Sequence, residues 1–243
     1  TTLYSMLNAL NTLDKKIITL EDPIEYGIGG ISQIPIDTTA GQSFADGLRS
    51  VLRLDPDVVM VGEIRDNDTA RTAIQASITG HLVLSSFHAN STSAAFSRMI
   101  DMIGMNPIFS SAIRLLIAQR LVRKLDENKK EYRPDEATKA WVRRVLDGVP
   151  KDKLPQDITG DFKLWRPVVT ADSPFGYKGR MVVMEMMVVN DNIAAFLRGE
   201  RGAISTEAIE KQARQDGLLT LVQQGVIAAL RGDTTLEEVN RVI

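Results

Sequence analysis

The order of apolar and polar positions predicts alternating strands and helices in the first half of the chain. Apolar runs rich in β-branched residues predict strands at residues 16–20, 58–61 and 81–86. Apolar residues at helical spacing, with capping residues and helix-stopping glycines and prolines, predict the helices. These helices cover residues 3–10, 43–52, 66–80, 91–103 and 107–122. Three glycines among β-branched residues at 27–36 predict a hairpin.

Near-continuous apolar strands that alternate with helices indicate an α/β fold. Such a fold has a mostly parallel sheet with helices on both faces. Ligands bind such sheets at the carboxyl ends of the strands. Glu21, Glu63 and His88 lie at or just after predicted strand ends. The sequence therefore predicts a site at this edge of the sheet.

The second half of the chain differs from the first in composition and in its predicted elements. Residues 126–166 are charged, hold three prolines and contain one predicted helix at 135–146, which suggests a variable surface insertion. Residues 167–189 predict a β-hairpin that turns through Gly176 and Gly179, and a small helical region follows it to the C-terminus. We divide the chain into a core at 1–125, an insertion at 126–166 and a hairpin-plus-helical region at 167–243.

Composition narrows the class of protein. The chain is 44% hydrophobic and 25% charged, with a formal net charge of −2, so no global field attracts nucleic acid or a membrane. Without cysteine there is no disulfide and no thiolate zinc site. No apolar window reaches the length of about 18 residues that a transmembrane helix needs, and the first residues lack signal-peptide features. These features are typical of a cytoplasmic protein.

Glu63 is the leading candidate for chemistry. The strand at 58–61 is flanked by Asp57 and by Gly62, Glu63 and Arg65. A carboxylate at the mouth of a parallel sheet is suited to hold a magnesium-bound water or to orient an attacking water. The alternative is a solvent-facing glutamate at a strand end.

A second acidic group follows the first strand. Glu21, Asp22 and Glu25 lie close together, and such a cluster repels itself unless a cation or arginines are near. Pro23 favours a turn here. Both interpretations are compatible: Pro23 forms the turn, and Glu21 meets a metal.

The candidate basic residues have alternative interpretations. Arg49 and Arg53 share a helix face, which either is exposed or reaches a phosphate or a neighbouring subunit. His81 and His88 flank one strand, some ~23 Å apart at about 3.3 Å per residue, so they cannot share a metal unless the strand ends early and folds back. His88 is better placed to touch a ligand. Arg180 follows a glycine turn and either reaches a nucleotide or covers the hairpin.

Three segments resemble a known family. IITLEDPIEY at 17–26, LRSVLRLDPDVVMVGEIRD at 48–66 and TGHLVLSSFHAN at 79–90 resemble the acidic box, Walker B motif and histidine box of secretion ATPases. These are the hexameric motors of type II secretion and type IV pilus assembly. QRLVRKL, GYKGR and LEEVNRVI also look like family segments, so the likeness covers most of the chain.

The resemblance implies a RecA-like ATPase that uses ATP and Mg²⁺. Glu63 would be the Walker B glutamate that positions the attacking water, and Glu21 would lie near magnesium and the γ-phosphate. Both would meet the magnesium through water. His81 and His88 would be the histidine-box residues.

The remaining nucleotide-binding candidates also follow from the resemblance. The family places arginines near phosphates or subunit contacts in the segments that hold Arg49, Arg53 and Arg65. Asp22, in the acidic box, and Arg180, in GYKGR, complete this set.

Two departures from the family pattern matter. Many assembly-type members bind zinc through two Cys-x-x-Cys pairs, which here would fall at Asp126 and Lys129 and at Val169 and Asp172, so we expect no zinc. The sequence also lacks the phosphate loop G-x-x-x-x-G-K-[ST], and its first residues, TTLYSML, resemble those that follow this loop. We therefore expect a carboxyl-terminal fragment that is inactive by itself.

The resemblance also implies partners and leaves alternatives open. It implies a hexameric ring, an inner-membrane platform protein as partner, no direct nucleic acid, and a cytoplasmic location peripheral to the inner membrane. The leading function is ATP hydrolysis that powers type IV pilus assembly or type II secretion. The alternatives are a pilus retraction or type IV secretion ATPase, and a catalytically inactive module for oligomerisation or platform binding.

Overall fold

The computed structural model describes residues 1–202 and 204–243. By its internal contacts the chain divides into two compact units. The first unit comprises Thr1–Leu116 and Val188–Gln212, and the second comprises Ile117–Met187 and Ala213–Ile243. The boundaries at residues 125 and 166 follow the change in composition along the sequence, and they stay a prediction.

The secondary structure alternates in the first half of the chain and becomes mainly helical towards the C-terminus. The elements are α1 (Thr2–Leu10), β1 (Ile17–Glu21), β2 (Ser32–Pro35), α2 (Phe44–Leu52), β3 (Val58–Glu63), α3 (Asn67–Ile78), β4 (Leu82–Ser86), α4 (Thr92–Ile103), a 3₁₀ turn (Pro107–Ser111), β5 (Leu115–Leu125), β6 (Lys129–Tyr132), α5 (Glu136–Val145), a 3₁₀ turn (Lys151–Lys153), β7 (Leu164–Pro167), β8 (Tyr177–Val188), α6 (Asp191–Leu197), α7 (Thr206–Gln215), α8 (Leu221–Arg231) and α9 (Leu236–Val242).

The first unit contains a four-stranded sheet of order β2-β1-β3-β4, in which each neighbouring pair is parallel. Leu7 of α1 packs with Ile17 and Val58 in the core of one face. On the other face α2 lies so close that a Cβ on Gly47 would be 3.0 Å from Ile36 and 3.4 Å from Leu20. The predicted parallel sheet with helices on both faces is confirmed.

Side-chain caps begin the helices of this unit. Ser43, Asp66 and Ser91 each accept a hydrogen bond from a backbone N–H in the first turn of α2, α3 and α4. Such caps satisfy backbone donors that have no partner within the helix. Helices α2, α3 and α4 therefore begin where the sequence predicts them.

Two predictions in the first half are wrong. The segment 27–36 does not form a hairpin, because its strand β2 pairs in parallel with β1, with Ser32 opposite Ile18. The helix predicted at 107–122 is a short 3₁₀ turn followed by β5. Apolar residues in 115–125 fit helical spacing as well as strand spacing, and pairing with the distant β8 selects the strand.

The second unit has its own apolar core. Val142, Leu146, Phe162 and Leu164 are buried there together with residues of α8. Strands β6 and β7 pair antiparallel, with Glu131 opposite Trp165. The segment 126–166 therefore places apolar side chains in a core, while its charged side chains are largely exposed.

The hairpin predicted at 167–189 is also wrong. Strand β7 pairs with β6, and β8 pairs with β5. Gly176 has a φ of 68°, and a Cβ there would lie 2.5 Å from that of Pro167, so only glycine fits this turn. The predicted helical C-terminal end is confirmed by α6 to α9, the last of which is capped by Thr235.

The structure also bears on membrane insertion. Across residues 1–202 and 204–243, none of the helices combines the length and the apolar character needed to cross a bilayer.

Candidate active site

The carboxyl ends of β1 and β3 place two glutamates at the same edge of the sheet. Leu20 of β1 lies opposite Val61 of β3, so Glu21 and Glu63 follow at neighbouring strand ends. The register of β3 against β4 shifts between Val61 and Glu63. A Cβ on Gly62 would lie 3.2 Å from the carbonyl oxygen of Leu20, so glycine permits the close approach of β3 to β1 here.

Glu63 is held by two basic side chains. Its side chain is 15% exposed, forms an ion pair with Arg65 and lies beside His88, whose Nε2 is 3.3 Å from Glu63 Oε2. Ser86 donates a hydrogen bond of 2.6 Å to the carbonyl oxygen of Gly62, which ties the end of β4 to β3. His88 itself is 78% exposed, so this carboxylate lies at the border between protein and solvent.

Glu21 has a different environment. It is 4% exposed, and the Tyr4 hydroxyl donates a hydrogen bond to its Oε2. Thr19 Oγ1, at 2.5 Å, and Gln33 Nε2, at 3.0 Å, donate to its Oε1. Burial raises the pKa of Tyr4, and the hydrogen bond to Glu21 raises it further. Glu21 is thus a buried carboxylate with donors on both oxygens.

Other predicted residues have partners away from Glu63. Arg49 lies 2.8 Å from Asp46 and 2.5 Å from Asp68. Asp22 accepts a hydrogen bond of 2.5 Å from Thr38. Arg49 therefore links α2 to the first turn of α3.

Of the remaining predicted residues, His81 has hydrogen-bond partners near the end of α3, whereas Arg53 and Arg180 are exposed. His81 Nδ1 lies 3.0 Å from the carbonyl oxygen of Ala76 and 3.1 Å from Thr79 Oγ1, at the end of α3. Arg53 ends α2 with an exposed side chain, which has no ion pair within the described ranges 1–202 and 204–243. Arg180 is an exposed residue of β8 in the second unit.

The first unit brings together Glu21, Glu63, Arg65 and His88 at the sheet edge.

Sequence reasoning missed the residues that hold Glu21. Thr19 shares a strand face with Glu21 because side chains alternate along a strand, and a polar residue inside an apolar run is a signal for it. Tyr4 and Gln33 come from α1 and β2. Their contacts depend on strand order, and β2 was predicted as part of a hairpin.

The carboxylates can be tested against a magnesium ion. Mg²⁺ takes oxygen ligands, keeps several waters and is held by one or two carboxylates plus substrate phosphates. Glu63 offers such an oxygen, whereas the donors on Glu21 leave it suited to a contact through water. Among the described residues no group of three or more His, Asp and Glu side chains converges as a metal site. The donor set fits a magnesium ion that takes its other ligands from water and phosphate.

Comparison with known protein sequences gives matches along the whole chain. The family model described as type II/IV secretion system protein matches residues 1–241. The chain is 44% identical over 245 residues to type II secretion system protein E of Xanthomonas campestris. The matched region covers 100% of this chain and 41% of that protein. It is 42% identical over 243 residues to the type IV pilus assembly ATPase PilB of Pseudomonas aeruginosa. That match covers 99% of this chain and 40% of PilB. The chain therefore spans less than half the length of these relatives.

Solved structures share the fold. The Legionella pneumophila ATPase DotB matches with a TM-score of 0.65 at 22% identity, covering 99% of this chain and 55% of that one. The pilus retraction motor PilT with bound ADP matches with a TM-score of 0.64 at 25% identity, and the match covers 99% of this chain and 56% of that one. These matches confirm the RecA-like fold that the sequence predicts.

Proposed function

Because the chain belongs to the type II/IV secretion system protein family, we propose that it forms part of an ATP-hydrolysing motor in which Glu63 orients the attacking water. The relatives that cover 99–100% of the chain include type II secretion proteins E and a type IV pilus assembly ATPase. We assign the motor to one of these two processes. Pilus retraction and type IV secretion stay open as alternatives within the family.

The position of Glu63 carries this proposal. The carboxylate stands at the end of a buried strand, so its backbone is rigid, and Arg65 and His88 restrict its rotamer. In phosphoryl transfer, catalysis is mainly positioning and electrostatic stabilisation. A carboxylate held in one place, at the border with solvent, can accept a hydrogen bond from the nucleophilic water and align it.

The basic side chains beside Glu63 have a second role in this proposal. A triphosphate that transfers its terminal phosphoryl group gathers negative charge on the phosphate oxygens. Arg65 and His88 are both largely exposed, so each could contact that charge if it gave up its present contact with Glu63. We assign them to the phosphate-facing side of the site.

Magnesium and the phosphate cradle complete the assignment. Magnesium, when bound with ATP, neutralises phosphate charge, and Glu21 and Glu63 are the residues that would hold it through water. The 243 residues contain no G-x-x-x-x-G-K-[ST] motif. We therefore assign the cradle to the remainder of a protein of the relatives' length.

The other basic and acidic residues take secondary roles. Arg49 and Asp22 must exchange their present partners, Asp68 and Thr38, before either contacts a nucleotide. Arg53 and Arg180 have exposed side chains that can reach a phosphate or a neighbouring subunit. His81 supports the end of α3.

The lack of a phosphate loop in this sequence favours a second candidate function for the isolated chain. By itself it would be an inactive module that joins a hexameric ring and binds a platform protein of the inner membrane from the cytoplasmic side. No zinc enters this proposal, because the chain has no cysteine.

The test is Glu63→Gln in the full-length protein. We expect ATP hydrolysis to fall by about 10²- to 10⁴-fold, because the amide is a poor acceptor for the water proton. ATP binding should stay nearly unchanged, because Glu63 is not part of the phosphate cradle. The measurements are steady-state turnover and binding of a fluorescent ATP analogue.

Glu127→Gln is the matched control, since Glu127 is an exposed glutamate of the second unit. It should hydrolyse ATP at the normal rate. Normal turnover by Glu63→Gln would remove this residue from the mechanism, and loss of ATP binding would make it a binding residue instead.

A further inference from the structure

The hydroxyl of Tyr4 connects three segments of the first unit. It donates a hydrogen bond to Oε2 of the buried Glu21 at the end of β1. It accepts a hydrogen bond of 3.2 Å from the backbone N–H of Glu25, in the turn after β1. Gln33 Nε2 of β2 lies 3.5 Å from the same oxygen. One hydroxyl therefore links α1, the acidic turn and the carboxylate of Glu21.

The ring of Tyr4 is a separate feature from its hydroxyl. Tyr4 is buried in the apolar core that holds Leu7 and Ile17. Its ring also meets that of Tyr26 edge to face, with centroids 4.5 Å apart and planes at 73°. A phenylalanine keeps these contacts, so Tyr4→Phe removes only the hydrogen bonds.

Removal of the hydroxyl changes what holds Glu21. In the native site Tyr4 is the donor to Oε2, while Thr19 and Gln33 donate to Oε1. A buried carboxylate oxygen without a donor is unfavourable. Without Tyr4, the carboxylate would rotate to find another donor or admit a water.

We propose that Tyr4 is a positioning residue that holds the Glu21 carboxylate in its productive orientation during ATP hydrolysis. The inference rests on the function proposed above for Glu21. It adds that the Tyr4 hydroxyl couples α1 to Glu21, so that a displacement of α1 is transmitted to the acid at the sheet edge.

The experiment uses the full-length protein with Tyr4→Phe. We expect kcat to fall by about 10- to 100-fold, as for other residues that orient a functional side chain. The KM for ATP should change little, because Tyr4 orients Glu21 and does not bind nucleotide. The measurement is steady-state ATP hydrolysis over a range of ATP concentrations.

Tyr26→Phe is the matched control. It removes a hydroxyl from the neighbouring ring, and in the described part of the chain that hydroxyl has no hydrogen-bond partner. We expect normal kcat. Urea unfolding measures the stability of each variant. If the turnover of Tyr4→Phe falls only in proportion to the fraction of protein that is unfolded, the proposal is overturned.

Glu21→Gln separates the inference from the function on which it rests. If Tyr4 acts through Glu21, Tyr4→Phe should have no further effect in a Glu21→Gln background. If Glu21→Gln is impaired and Tyr4→Phe is normal, the inference is wrong and the proposed function stands. If Glu21→Gln hydrolyses ATP normally, the proposed role of Glu21 fails, and that of Tyr4 with it.

Discussion

Glu238 is a buried carboxylate with a strongly lowered pKa. Its side chain is fully buried on α9, where Arg123 donates from Nε at 2.9 Å and Arg241 from Nη2 at 2.7 Å. Burial by itself raises the pKa of Glu238, but hydrogen bonds from Arg241 and Arg123 outweigh it and lower the pKa to about 2. The ionised form is therefore part of the folded state.

This pKa predicts a dependence of stability on pH. Because the folded pKa of about 2 is below the ordinary value of 4.5, Glu238 contributes stability above pH 4.5 and loses it as pH falls towards 2. At pH 7, Glu238→Gln should lower the free energy of unfolding by about 1.5–3 kcal/mol, the range for hydrogen bonds to charged groups. The measurement is urea unfolding of both proteins at several pH values.

The adjacent Glu237 supplies the control for this comparison. It is exposed, so Glu237→Gln should unfold as the native chain does. The difference between native protein and Glu238→Gln should narrow as the buffer becomes acidic. A difference that stays constant down to the lowest pH would show that the charge of Glu238 is not its source.

The two histidines should differ in what they affect. His81 binds the carbonyl oxygen of Ala76, so His81→Ala should lower the free energy of unfolding by about 1 kcal/mol, the usual value of one hydrogen bond. The side chain of His88 is 78% exposed beside Glu63, so His88→Ala should lower ATP turnover and leave stability nearly unchanged. Denaturation and turnover of both variants check this, and each variant is the control for the other. Reversed results would make His81 the catalytic member of the pair.

At the scale of elements, Gly62 determines how closely β3 approaches β1. In Gly62→Ala the new Cβ would lie 3.2 Å from the carbonyl oxygen of Leu20 and 3.6 Å from Cα of Glu21. The strands must separate slightly, and we expect a loss of about 1–3 kcal/mol of stability, as for overpacked positions. Turnover in the full-length protein should fall as well, because the shift displaces Glu63.

Gly29→Ala is the corresponding control. A Cβ on Gly29 meets nothing within 4 Å, and its φ is not positive. This variant should be as stable and as active as the native protein. If both glycine variants behave alike, the contact at Gly62 does not position Glu63.

The elements that sequence reasoning predicted well are those with local signals. Capping residues and turn residues mark both ends of α2, α3 and α4, so their positions follow from the chain itself. The elements predicted wrongly take their form from pairing partners that local signals do not reveal. β2 pairs with β1, and β5 pairs with β8, while the two strands of the hairpin predicted at 167–189 pair with β6 and β5 and not with each other.

At the scale of the whole molecule, the same distinction applies to the candidate site. The carboxyl ends of parallel strands meet at one edge, so the neighbourhood of Glu21 and Glu63 was predictable from the order of strands and helices. Of the three donors around Glu21, Thr19 lies on the same strand and follows from the alternation of side chains, whereas Tyr4 and Gln33 come from other elements and were not predictable. The functional assignment of these residues stays a prediction for the experiments above.

The final prediction concerns nucleotide binding by the molecule as a whole. A phosphate loop binds phosphate through backbone N–H groups, a helix N-terminus and a lysine, and this sequence has no such motif. Calorimetry should therefore detect Mg-ATP binding to a protein extended to the length of the relatives and none to the 243-residue chain.

The extended protein with Glu63→Gln is the control for that measurement, and it should bind Mg-ATP as the native form does. Tight binding by the 243-residue chain alone would contradict the assignment of the phosphate cradle to other residues. The cradle would then have to lie among the arginines of this chain, and single substitutions of Arg49, Arg53 and Arg180 would identify it. Arg53 and Arg180 would be tested before Arg49, because within the described residues their exposed side chains have no ion pair to break, whereas Arg49 is paired with Asp46 and Asp68.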